Sequence, residues 1–235
     1  ENEKERVRAN LLRAISHDLR TPLTTIYGSC SAIIENYDSL EKEQQVKLLG
    51  EIREDAEWLI RMVENLLSIT KIGSKNVQVI KTPTVLEELI DDTLIKFHKR
   101  YPAQKVEVEI PEEFISIPMD PLLIVQVLMN LLENAVLHAE GMTSLRFTVK
   151  KSGKWAVFSI EDDGCGIPAD ILGKMFDGYH DRAGELTDGK RNNMSIGLSV
   201  CATIIRAHGG KIKAENRREG GARFSFSLEM EEMDE

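Results

Sequence analysis

The chain is short of several things. Aromatic residues make up only 6%, with two tryptophans, and cysteine occurs three times. Cys30, Cys165 and Cys201 are far apart, with neither metal-ligand spacing nor an even count for a disulfide framework. Free thiols in a reducing compartment are expected. Positive charge is also scarce: 30 Lys and Arg stand against 39 Asp and Glu, a net charge of −9, which argues against a general nucleic-acid binder. No apolar run approaches the length of a membrane span, and no signal peptide is visible. Proline is almost missing from the first 72 residues, where Pro22 stands alone.

What is present describes a globular protein. The 235 residues suffice for one or two domains, and 42% hydrophobic with 29% charged residues exclude a disordered chain. The chain opens mid-pattern with "ENEKERVRAN" and no initiator Met. It is therefore expected to be a fragment cut from a longer protein, itself making no membrane contact, with room for a membrane anchor in the missing part.

The stretch to about residue 72 predicts two long helices. In the first, Leu11, Ile15, Leu19, Pro22, Ile26 and Ile33 recur at steps of three, four or seven and line one stripe. His17 lies two residues from both Ile15 and Leu19, about 200° away, so it should face water. Thr21 follows one turn later on the same face. Pro22 cannot donate to the Asp18 carbonyl, so a bend is expected beside the histidine. A lone surface histidine is usually just solvated, so this feature alone decides nothing. "YDSLEKEQQ" breaks the helix, with Ser39 as the expected N-cap of a second helix entered through Lys42 to Gln45. That helix repeats apolar residues from Val46 through Leu59 and Val63 to Thr70 near a heptad. Two narrow apolar stripes are best buried by pairing with a second copy into a four-helix bundle. The alternative is packing of the hairpin on the second half.

After the connector at 73–83 the pattern becomes mixed. Helices are predicted over "TVLEELIDDTLIKFHKRY", over "DPLLIVQVLMNLLENAVLHAE" with Asp120 as N-cap and Pro121 in the first turn, and over "SIGLSVCATIIRAHGG" with a glycine cap. "KVEVEI" alternates as a strand, "SLRFTVKKSGKWAVFSIEDD" reads as a hairpin turning at Ser152-Gly153, and "KIKAEN" and "ARFSFSLEM" are strands joined at Gly220-Gly221. The fold class is α plus α/β: a helical hairpin, then an α/β sandwich whose mixed, mostly antiparallel sheet carries helices on one face.

Three stretches of the second half carry polar chemistry. In "NLLENAVLH", Asn130 and Asn134 share a helical face, and amide oxygens are hard ligands suited to Mg²⁺. Glu133 lies between them. Buried structural amides are the bland alternative. In "EDDGCGIP", Asp162 ends a strand and can accept a hydrogen bond from an exocyclic amine, while Gly164 and Gly166 admit a ligand to the backbone. An ordinary Asp-Gly turn reads the same way. Residues 184–195 form a polar, basic loop that runs into a helix N-terminus, where backbone N–H groups suit phosphate.

"SHDLRTPL", "NLLENA", "DDGCGI", "IGLS" and "GGARFSFSL" stand in the order found in sensor histidine kinases of two-component signalling, and the chain resembles that family over nearly its whole length. "SHDLRTPLTTIYGS" is most similar to the potassium-responsive members. The resemblance implies a dimerisation and phosphoacceptor hairpin over 1–74 and a catalytic ATP-binding domain over 75–235. It implies that His17 takes a phosphoryl group from ATP, that Asp18 orients the imidazole, and that Asn130 and Asn134 hold Mg²⁺. Asp162 would read the adenine amine. Gly164, Gly166, Ile167, Gly197, Leu198 and His138 would belong to the pocket, and Phe176 and Tyr179 to the aromatic hinge of a lid. Lys190 or Arg191 would reach the γ-phosphate from that lid. The implied partners are a second copy through residues 1–72 and a response regulator, with no nucleic acid. Asp18-Leu19-Arg20-Thr21 resembles the pattern of members that also dephosphorylate their regulator.

Two positions depart from the family. Leu137 stands where a phosphate-contacting lysine is usual, and Asn193, Met194, Ser195 and Ile196 precede Gly197 where two more glycines are usual. A degenerate ATP-binding or dimerisation scaffold is therefore the alternative reading. The related gyrase, mismatch-repair and chaperone ATPases place a glutamate at the position of Asn130 to activate water; an amide cannot be that base.

Overall fold

The computed structural model describes residues 2–73, 79–173, 175–176 and 189–231; the side chains of 2–18, 64–73 and 189–196 lie outside the description. The chain divides into two compact units, one ending at Leu67 and the other beginning at Ser68.

The first unit is built on α1 (Asn2–Glu35) and α2 (Lys42–Gly73). α1 runs unbroken through Pro22, which is buried, while Thr21 is exposed and Leu19 and Ile26 are half-buried. The two helices are antiparallel. Ser29 donates to Glu51 at 3.5 Å and Thr25 bonds Asp55, so a step of four forward in α1 is a step of four backward in α2. Burial raises the Asp55 pKa, an effect that the Thr25 hydrogen bond opposes. Ser39 is not the N-cap of α2. Its hydroxyl donates to the Asn36 carbonyl (3.1 Å), and the helix start is closed by the Gln44 side chain, which accepts from the Glu41 N–H at 3.2 Å. This is half of a capping box: a side chain at the third helical position reaches farther back than the serine hydroxyl reaches forward.

The second unit is a two-layer α/β sandwich. β2 (Glu107–Glu109), β4 (Leu145–Ser152), β5 (Trp155–Asp162), β7 (Ala222–Glu229) and β6 (Lys211–Asn216) form a sheet in that spatial order, antiparallel except for the parallel pair β2–β4. β1 (Thr82–Val85) and β3 (Ser116–Met119) make a small separate ladder, with Pro83 opposite Pro118. Two prolines can face each other only where neither N–H is needed, at a non-hydrogen-bonded pair.

α3 (Leu86–Arg100), α4 (Pro121–His138) and α6 (Gly189–Ala207) supply the helical layer, and α5 (Ala169–Leu172) is one short turn. Alternation along β5 sends Ala156, Phe158, Ile160 and Asp162 to the buried face. Phe158 stacks on its cross-strand partner Phe226 at 4.6 Å. α4 begins as expected: the Asp120 carboxylate accepts from the N–H groups of Leu122 and Leu123, and Pro121 occupies the first turn. The expectation about apolar runs needs correction. α4 has 18 residues of mean hydropathy 1.4, long and apolar enough to cross a membrane by that measure, but half of it is buried as the core helix of this unit.

The expected glycine cap closes α6. Gly209 adopts φ +80°, its N–H donates to the Arg206 carbonyl, and the Gly210 N–H donates to the Ile205 carbonyl. Just before it, the buried His208 bonds on both ring nitrogens. Nδ1 faces the Ile204 carbonyl at 2.8 Å, and Nε2 accepts the Asp120 N–H at 3.0 Å. Only the neutral ring protonated on Nδ1 satisfies both. Burial lowers the His208 pKa; the Lys81 ammonium lowers it too, while the Ile204 carbonyl and Asp120 raise it.

The unfolded chain thus binds a proton that the folded one resists. This part of the stability is complete above the ordinary histidine pKa of about 6.5 and is lost as pH falls through that value toward the lower folded one. Thermal melts between about pH 7 and pH 5 should show a decline that is shallower in His208→Gln, with the variant about 1–2 kcal/mol less stable at neutral pH. Parallel pH profiles for the two proteins would exclude His208 as the source.

Candidate functional site at the end of strand β5

Asp162 continues the buried register of β5 at the point where the strand ends. A bare carboxylate there would be costly. Its Oδ1 accepts the N–H of Gly164 at 3.0 Å and of Ala222 at 3.2 Å. Its backbone carbonyl accepts from Arg217 at 2.8 Å. The turn that follows is fixed from three sides. A Cβ on Gly164 would lie 2.7 Å from the Ala139 Cβ, so the turn packs on the end of α4. Asn216 clamps Ile167 by two bonds, accepting its N–H at 2.7 Å and donating to its carbonyl at 2.8 Å. Gly166, at φ +75°, lies in the left-handed region and lets the chain pass beneath that clamp. Asp163 accepts from the Thr143 N–H (2.7 Å), the Thr143 hydroxyl (2.5 Å) and the Ser144 N–H (2.8 Å). These donors, the hydroxyl first, hold its carboxyl down at about 2.

α4 carries the two amides, one turn apart on one face. Asn130 hydrogen-bonds the Cys201 thiol of α6, and burial pushes that thiol up to about 12. Asn134 is half-buried, and its Nδ2 is buried with no hydrogen-bond partner among the described residues. An orphaned amide donor is uncommon in a folded domain and is a group whose bonding a ligand or a water can complete. Glu133, between them, points elsewhere: it is buried and ion-paired with Arg100 at the end of α3. His138 is half-buried in the last turn of α4, and its carbonyl lies 3.5 Å from the Cys165 thiol. Among the described residues no three His, Cys, Asp or Glu side chains are grouped to hold a metal, so amide oxygens are the hard donors on offer.

The end of α4, with His138 and Ala139, thus meets the turn that carries Asp162, Gly164, Gly166 and Ile167, while Asn130 and Asn134 lie two turns and one turn earlier on α4. Gly197 and Leu198 are buried in α6, and Phe176 is half-buried. Residues 189–195, expected in a loop, instead form the first turns of α6. A run without proline needs only its own N–H bonds to extend a helix backward. Lys190 and Arg191 therefore stand on helical backbone, with side chains outside the described residues, as are those of His17 and Asp18 in α1. Tyr179 lies outside the described residues altogether. Leu137 is exposed and offers no donor. Thr143, Asn216 and Arg217 carry no local signal, because the Asp163, Ile167 and Asp162 that they bond lie 20, 49 and 55 residues away.

With this geometry in view, the chain matches two family models. The His Kinase A (phospho-acceptor) domain matches residues 7–75, and the histidine kinase-, DNA gyrase B- and HSP90-like ATPase matches residues 119–232. The chain belongs to the sensor histidine kinases. It is 41% identical over 231 residues to a sensor protein KdpD of Clostridium acetobutylicum, covering 98% of this chain and 26% of that one. It is 32% identical over 227 residues to the KdpD of Escherichia coli K12, covering 97% and 25%. Both are of the subgroup that the wording around His17 resembles. The chain therefore spans about a quarter of the length of these relatives. A solved structure of histidine kinase ThkA in complex with response regulator protein TrrA has the same fold, with TM-score 0.72, 24% identity and coverage of 98% of this chain and 64% of that one.

Gly220 and Gly221 separate two effects. Both have positive φ, +98° and +80°. A Cβ on Gly220 meets open space, whereas one on Gly221 would lie 2.0 Å from the Asp162 carbonyl oxygen. Gly220→Ala should cost about 1 kcal/mol. Gly221→Ala should cost about 3 kcal/mol or more and displace Asp162. Denaturant unfolding compares them directly, and equal losses would mean that the backbone contact gives way freely.

Proposed function

We propose that this chain is an ATP-dependent protein histidine kinase that phosphorylates His17 and passes the phosphoryl group to an aspartate of a response regulator. The observation that carries the reading is the turn at Asp162, a buried carboxylate at a strand end with one oxygen held by two backbone N–H groups; beside it in support stands the Asn134 amide of α4, whose Nδ2 has no partner among the described residues. Residues 1–74 are taken as the dimerisation and phosphotransfer hairpin and 75–235 as the catalytic domain, with the chain on the ATP-supplied, cytoplasmic side of a membrane-anchored protein. Leu23, Tyr27, Ile34, Val46, Leu49, Ile60 and Val63 are exposed on the hairpin and favour burial against a second copy.

Asp162 accepts two backbone N–H groups on Oδ1, which leaves Oδ2 for the exocyclic amine of adenine. The amide oxygens of Asn130 and Asn134 fit Mg²⁺, which when bound supplies charge neutralisation to the phosphates. The unpartnered Asn134 Nδ2 suits a phosphate oxygen. Lys190 and Arg191, near the start of α6, are the cations for the γ-phosphate. One ring nitrogen of neutral His17 forms the bond to the γ-phosphorus as the bond to the ADP oxygen breaks. Asp18 holds the other N–H and takes that proton as positive charge develops on the ring. The amide at position 130 cannot act as the base that activates water, which favours transfer over hydrolysis.

Thr21 is exposed one turn after His17, which favours a second activity, dephosphorylation of the regulator with the hydroxyl positioning water. Incubation with γ-labelled ATP and Mg²⁺ should give acid-labile label on the wild type and none on His17→Ala, with ADP affinity unchanged. Thr21→Ala should label normally but release phosphate from phospho-regulator about tenfold more slowly. Label persisting on His17→Ala would overturn the acceptor assignment. Release of free phosphate alone would indicate an ATPase, and no label on the wild type a scaffold.

A further inference from the structure

The loop between β6 and β7 does more than connect two strands. It closes on itself through the Arg217 N–H and the Gly221 carbonyl at 3.0 Å, and its residues reach the Asp162 turn at several points. Gly221 packs against the Asp162 carbonyl, and Ala222 donates to the Asp162 carboxylate. Arg217 is the one side chain of this loop that bonds Asp162 itself, through its backbone carbonyl. With its side chain only 17% exposed, it also pairs with Glu161 and with Glu219, each at 3.5 Å. A planar guanidinium that serves several acceptors at once has little freedom to move.

We infer that Arg217 is a positioning residue for purine selection: by fixing the backbone of Asp162 it aims the carboxylate that distinguishes adenine from other bases. This rests on the reading of Asp162 as the adenine acceptor. A 6-amino group offers a donor to that carboxylate, whereas the 6-oxo group of hypoxanthine presents an acceptor, so discrimination depends on where the carboxylate sits. The plain alternative is that Arg217 only stabilises the sheet by its charge beside Glu161. Arg223 separates the two. It pairs with the same Glu161 at 2.8 Å and with Glu215 at 3.2 Å, and no bond joins it to Asp162.

The test is the ratio of affinities for ADP and inosine diphosphate, measured by calorimetry with Mg²⁺ on the full chain. The wild type should favour ADP, and Asp162→Asn should abolish that preference. Arg217→Ala should narrow the ratio at least about fivefold, through loss of ADP affinity, whereas Arg223→Ala should leave it within about twofold. Should Arg217→Ala fail to fold, Arg217→Lys carries the test, since it keeps the charge beside Glu161 but lacks the planar fork that spans the Asp162 carbonyl and two carboxylates at once. Its ratio should narrow as well. An unchanged ratio in a folded Arg217 variant, or equal narrowing in Arg223→Ala, overturns the assignment while leaving the role of Asp162 intact. A wild type without preference for ADP, or an Asp162→Asn that keeps it, overturns the reading of Asp162 and the inference with it.

Discussion

The second unit is organised around one buried carboxylate. Asp162 occupies a position where the alternation of β5 calls for an apolar side chain, and it is tolerated there because two backbone N–H groups bond one of its oxygens. Those donors come from two segments that must be brought close: Gly164, which has to pass Ala139, and Ala222, which follows a glycine packed on the Asp162 carbonyl. The Asn216 clamp on Ile167 and the Asp163 bonds to Thr143 and Ser144 fasten the same turn to the neighbouring segments. The fold around the turn therefore rigidifies a polar group instead of burying another leucine.

A rigid acceptor suits recognition, whereas phosphoryl transfer needs charge neutralisation and reach. The sequence divides these tasks. The second unit carries the fixed turn and, on α4, two half-buried amides, one tied to Cys201 and the other with an Nδ2 that has no partner among the described residues. Lys190 and Arg191 at the start of α6 and His17 in the hairpin belong to other stretches of the sequence. Leu137 removes one phosphate donor common in the family, so the proposed chemistry leans more heavily on Asn134 and on the cations of α6.

Much of this was legible in the sequence because the signals were local. Asp120-Pro121 opens α4, Gly209-Gly210 closes α6, and the alternation of β4, β5, β6 and β7 set their faces before any partner was known. The hairpin turn fell one residue later than read, with Gly153 and Lys154 between the paired Ser152 and Trp155. What escaped was non-local or contradicted by local rules. β1 and β3 each contain a proline, which argues against a strand until the two prolines are seen opposite each other. Ser39 had the right chemistry for a cap and lost to a longer side chain at Gln44. The start of α6 was placed late because polar residues read as loop. The amides and carboxylate of the site were visible as residues, but Arg217 and Asn216, which hold its turn, carry no motif.

The most direct test of the central claim, that the Asp162 turn is a preassembled adenine site, is an amide NMR titration of the full chain with Mg-ADP. Saturable shifts should concentrate at Gly164, Gly166 and Ile167 and at the Asn134 side-chain NH₂, while the Ala222 amide resists hydrogen exchange even before nucleotide is added. Shifts centred elsewhere in the chain, or fast exchange of Ala222 in the free protein, would contradict it.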